Sequence, residues 1–94
     1  MISQRPYLLR ALYEWIVDNG WTPHILIDTS AGDVQIPPGF SNDGEVLLNV
    51  SERAVVGLEF GTDKVGFSAR FGGVSHQVNA PVERVLAIYA NENG

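Results

Sequence analysis

The run "FSARFGG", residues 67–73, has the alternation of a β-strand that ends in a tight turn. Phe67, Ala69 and Phe71 share one face by period-2 spacing; Ser68, Arg70 and Gly72 share the other. A packed interior would fill the place between two rings with Val or Leu, so the alanine marks a notch. A notch of this kind takes a neighbouring side chain or a ligand. The glycines after it read as turn punctuation, and most of the chain follows the same pattern of short strands and Gly/Asp/Pro-rich turns.

Working outward, the strand candidates are residues 24–29, 34–36, 45–50, 56–60, 65–71 and 74–79, with a last strand at "LAIYA" (86–90). "SAGD", "PPGFSNDG", "GTDK" and "GG" separate them, and "PVERV" (81–85) reads as one helical turn. One helix precedes them. It begins at Pro6, a residue suited to the first helical turn, and stops near Asn19-Gly20. The expectation is a mainly β domain with one N-terminal α-helix, its strands bent into a small barrel or sandwich.

The helix has a narrow polar stripe, Arg10, Glu14 and Asp18. Leu8, Leu12, Trp15 and Ile16 form one apolar flank; Leu9, Tyr13 and Val17 form another. The combined arc of roughly 200° is wider than the ~100° that covering one core requires. Either the helix sinks deeply into its own domain, or one flank meets a second subunit. For so small a domain the second is expected, with Leu8, Leu9, Leu12, Tyr13 and Ile16 as the interface candidates.

The bulk numbers exclude several classes. Ninety-four residues make one domain, 1–94, and 45% hydrophobic content fits a globular chain. Eleven acids against six bases, net −5 with a single lysine, disfavour a phosphate-backbone partner. Without cysteine there are neither disulfides nor thiolate zinc sites, which suits a cytoplasmic protein. No stretch is long enough to span a membrane, and the N-terminus lacks a signal-peptide pattern.

Chemistry is sparse. His24 and His76 have no second ligand at metal spacing, so no metal or cofactor is expected. No serine sits in a nucleophile elbow and no phosphate-binding glycine loop is present. Asp28, Asp33, Asp43 and Asp63 fall at strand ends or in turns, where Asp supports local backbone hydrogen bonding. An enzyme is therefore not expected. A binding module fits better, because small residues beside strand edges suit an extended peptide. Ala54, Val55, Val56 and Gly57 repeat the small-and-apolar theme of the 67–73 strand.

Four segments in order, "RPYLLRALYEWIVDNGWTPHILID", "DGEVLLNVS", "ARFGG" and "LAIYANENG", resemble the stringent starvation protein B family of bacterial protease adaptors. The resemblance runs from Arg5 to Gly94 without a gap. It implies a homodimer of Sm-like β-barrels with the N-terminal helix at the interface. It also implies binding of the ssrA degradation tag of rescued nascent chains, and delivery to the ClpXP protease through a C-terminal tail that docks on the ClpX unfoldase. That tail is not among these residues, which would make residues 1–94 the tag-binding domain. By the resemblance Ala69 and Ala54 are small residues at the tag groove, and alternation makes Phe67 and Phe71 the walls beside Ala69. Ser68, Phe40 and Asn91 stand where relatives commonly carry Asn, Tyr and Arg. The alternative is an RNA-binding or ribosome-associated Sm-like module, which the acidic balance opposes.

Overall fold

The structure, a computed structural model, describes residues 2–90; the "NENG" ending lies outside them. Helix α1 spans Arg5–Asp18 with Pro6 in its first turn, where a missing N–H costs nothing. It ends in a Schellman arrangement: Gly20, at φ +74°, donates to the Val17 carbonyl at 2.9 Å, and the Trp21 N–H reaches the Ile16 carbonyl at 3.1 Å. Six strands follow: β1 (Pro23–Asp28), β2 (Glu45–Asn49), β3 (Val55–Phe60), β4 (Lys64–Phe71), β5 (Val74–Pro81) and β6 (Val85–Ala90). The turn expected at 81–85 is a 3₁₀ turn over Val82–Arg84.

The strands form two antiparallel sheets, β2-β1-β6 and β3-β4-β5. The mainly β architecture with one N-terminal helix is as expected; the two three-stranded sheets are joined by no ladder among the described residues, so the expected small barrel is not confirmed. The Val82–Arg84 turn breaks the chain between β5 and β6, and residues 50–54 turn away between β2 and β3. The strand expected at 34–36 reduces to one bridge: Gln35 and Asn79 exchange backbone hydrogen bonds of 2.8 and 3.1 Å. Pro37 and Pro38 lack the donors to extend it.

Ile25, Val50, Phe67, Val78 and Val85 are fully buried in the core, and α1 contributes Leu9 and Ile16. The helix is also tied by its cations. Arg5 donates to the carbonyls of Val82 and Val85, and Arg10 to that of Phe60, so Arg10 is not part of a solvent stripe. The outward side of β4–β5 carries a ladder of polar side chains. Ser68 Oγ donates to Gln77 Oε1 (3.0 Å), Gln77 Nε2 to Asn79 Oδ1 (3.3 Å), and Asn79 Nδ2 to Gln35 Oε1 (2.6 Å). Gly66 leaves room for it; a Cβ there would lie 2.7 Å from Asn79 Oδ1.

Candidate peptide-binding groove

The hairpin at Gly72-Gly73, both at positive φ (60° and 83°), fixes the register of β4 and β5 with Phe71 opposite Val74. Ala69 then pairs with His76 on one side and Val55 on the other, and Ser68 pairs with Val56. After Val56 the β3–β4 register shifts, with Gly57 at φ +70° supplying the left-handed backbone of the bulge. Beyond the bulge the pairing resumes one residue out of register, Glu59 opposite Gly66 and Phe60 opposite Val65. In the sheet order β3 is an edge strand, so its outer backbone groups face no further strand among the described residues.

A groove of about 360 Å³ lies at this end of the sheet. Four of the six residues predicted for the site line it: Ala54, Val55, Val56 and Ala69. Phe67 and Phe71 do not. At 1% and 8% exposure they are core side chains, so the rings hold the notch from within and leave Ala69, half-buried, as its accessible floor. Phe71 packs edge-on against Phe40 (ring centroids 4.8 Å apart) and His76 (6.0 Å). Val55 is buried as well, whereas Val56 is 75% exposed on the strand edge.

The sequence pattern assigns no role to Glu52, Arg53, Ser68 and Arg70, which also line the groove. Alternation places Ser68 and Arg70 on the polar face of β4, the usual mark of plain solvent exposure. Two of the six basic side chains of an acidic chain thus meet at one groove, against the single carboxylate of Glu52. Arg70 also donates to the Gly73 carbonyl at 3.3 Å, bracing the hairpin beside it.

The helix residues expected at a subunit interface divide. Leu9 and Ile16 are buried in the core of their own chain, so they are removed from the outward surface: α1 lies with these two positions facing the sheets. Tyr13 is half-buried against Phe60 at 5.4 Å; burial pushes its hydroxyl pKa up, and the Glu52 carboxylate pushes the same way. Leu8 and Leu12 remain exposed, joined by Tyr7 and Trp15.

No group of three or more His, Cys, Asp or Glu among the described residues is placed to hold a metal ion. His24 contacts the Thr22 carbonyl through Nδ1 at 3.2 Å and stacks on Tyr89. No helix among the described residues is long and apolar enough to cross a membrane.

One helix on two antiparallel sheets, with a groove at a free strand edge, defines a small mainly β domain. Residues 3–94 match the family model described as SspB, stringent starvation protein B. The chain is similar to the stringent starvation protein B homolog of Haemophilus influenzae, 45% identical over 91 residues, which covers 97% of this chain and 61% of that protein. The chain belongs to the stringent starvation protein B family. It spans about three fifths of the length of that curated relative.

Proposed function

We propose that this chain is the substrate-binding part of a non-enzymatic proteolysis adaptor. It holds the N-terminal portion of an ssrA degradation tag in the β3–β4 groove and works as a homodimer that presents tagged chains to ClpXP. The observation that carries this reading is the free edge of β3 beside a groove floored by small residues. An extended peptide added to such an edge gains main-chain hydrogen bonds, and its alternate side chains enter the groove. Ala54 and Ala69 leave space for those side chains, while Arg53 and Arg70 favour the acidic residues of the tag.

Docking on ClpX is assigned to a tail outside residues 1–94. Tethering raises the concentration of substrate at the unfoldase only when both ends are engaged. The 94-residue chain alone therefore binds tagged substrate without accelerating its degradation, and in excess it slows delivery by an intact adaptor.

Fluorescence anisotropy with labelled Ala-Ala-Asn-Asp-Glu-Asn-Tyr and a labelled single-stranded RNA tests the reading. Saturable binding of the peptide and not of the RNA is expected. RNA binding without peptide binding would replace the adaptor reading with a ribosome-associated module.

A further inference from the structure

On the side of β4 away from β3, the ladder sets His76 of β5 directly opposite Ala69. Directly opposed residues of an antiparallel pair send their side chains to the same face, with Cβ atoms roughly 4.5–5.5 Å apart. The imidazole therefore stands beside the accessible floor of the groove. Ser75, the residue before it, already lines the groove, so the start of β5 belongs to the same end of the sheet. His76 is half-buried, its ring edge-on to Phe71, which Phe40 holds in turn. Neither ring nitrogen hydrogen-bonds within the described residues and neither is fully buried, so both are open to a ligand.

The charges around this position give it weight. His76 is the one titratable group of β5, and β4 faces it with Ala69 and Phe71, both uncharged. Beyond Ala69, β3 contributes Val55. The 37–44 segment, which reaches this corner through Phe40, carries one titratable side chain, Asp43. The groove lining holds Arg53, Arg70 and Glu52. Histidine is the side chain that ordinarily gains its charge between pH 8 and 5. Protonated, it adds a third cation beside a groove that holds one carboxylate.

We propose that His76 is a specificity residue of the peptide site: as imidazolium it meets the acidic side chains of the bound tag, so capture of an acidic tag tightens as pH falls from 8.0 to 5.5. The inference rests on the peptide-binding reading above. Over that range the Asp and Glu side chains of the peptide stay ionised, their ordinary pKa values lying at about 4. The change of charge is then on the protein. Lower pH favours its cationic form, and a cation beside a carboxylate favours the complex.

Anisotropy titrations at the two pH values test this with Ala-Ala-Asn-Asp-Glu-Asn-Tyr and its neutral analogue Ala-Ala-Asn-Asn-Gln-Asn-Tyr. The wild-type chain should bind the acidic peptide about threefold more tightly, or better, at pH 5.5, and the neutral one equally at both. His76→Gln should hold the weaker affinity at both pH values, and His76→Arg the tighter one. His24→Gln, altered on the other sheet where that ring stacks on Tyr89, should keep the wild-type response. The neutral-peptide comparison needs no substitution, so the test stands even where a variant fails to fold. A pH response retained in His76→Gln, or one of equal size with the neutral peptide, overturns the proposal and leaves the groove reading standing. So does equal wild-type affinity for the acidic peptide at the two pH values. If the wild-type chain binds that peptide at neither pH, the groove reading fails and this one with it.

Discussion

The outer stripe of α1 and the β3–β4 groove both leave apolar side chains in water, yet they differ in shape and in backbone. Leu8, Leu12 and Trp15 project from a convex helix whose mid-helix backbone groups are engaged in its own i→i−4 hydrogen bonds, so this stripe offers side chains rather than backbone. At the groove, Val56 stands on an edge strand with no further strand beside it among the described residues, above a concave floor of small residues flanked by guanidiniums. A flat apolar ridge can meet its own copy across a two-fold axis. A concave strand edge fits an extended chain. Hydrophobicity alone does not separate these two tasks; curvature and hydrogen-bonding capacity do.

The helix supplies the largest expected effect, and it contrasts two adjacent leucines. Leu9 is 6% exposed and Leu8 54%. Leu9→Glu places an unpaired carboxylate among core side chains and should cost about 4 kcal/mol, enough to unfold a marginal domain in chemical denaturation. Leu8→Glu should leave the denaturation midpoint within ~0.5 kcal/mol of wild type while dissociating the proposed homodimer in sedimentation at micromolar concentration. A wild-type chain that sediments as a monomer would remove the dimeric role of the stripe.

At the groove, Ala69→Gln fills the notch. It should weaken tag-peptide binding at least tenfold, on the order of 1.4 kcal/mol, in a folded protein with an unchanged circular dichroism spectrum. Unchanged affinity in a folded variant would take the notch out of the site and leave only the exposed edge around Val56.

On the outward side of the same sheet, Gly66→Ala drives a Cβ into the carboxamide of Asn79. The clash is with a side-chain end, so the ladder shifts rather than the backbone. A loss of about 1 kcal/mol is expected in denaturation, comparable to one broken hydrogen bond, with peptide affinity preserved. The ladder meets the groove at Ser68, so a tenfold loss of affinity would show that the order of the ladder holds that side chain for the peptide.

The smallest effect concerns a turn that lines neither region. The Asp28 carboxylate accepts hydrogen bonds from Ser30 Oγ (2.6 Å) and Ser30 N–H (2.9 Å), which hold its pKa below the usual carboxylate value. With the folded value depressed, its contribution is fully present above the unfolded carboxyl pKa, near 4, and is lost as pH falls through the folded one. Asp28→Asn should remove that acid-range part of the stability profile and leave the neutral range almost unchanged. An unaltered acid profile would show that the turn does not depend on the charge.

Local chemistry was legible in the sequence where it is set by local backbone rules. Pro6, Asn19-Gly20 and Gly72-Gly73 mark the helix start, its Schellman end and the tight hairpin, and each stands where the pattern places it. What depends on distant partners was not. The division into two sheets arises from how β1 pairs with β2 and β6, which no run of residues encodes. Leu8 and Leu9 sit 100° apart on the helix, both apolar, and only the position of the sheets decides which one is core. The groove was half legible. Ala54 and Ala69 stand out as small residues among large ones, whereas Ser68 and Arg70 look like any polar strand face until the register brings them beside Val56 and Ser75.

The central claim is a location, and amide chemical-shift mapping tests it most directly. Titrating the isotope-labelled chain with Ala-Ala-Asn-Asp-Glu-Asn-Tyr should perturb residues 52–56 and 68–70 first and most strongly, with α1 residues 7–12 unmoved. Perturbations concentrated on the outer stripe of α1 or on the β2-β1-β6 sheet, with the β3–β4 end silent, would contradict the account.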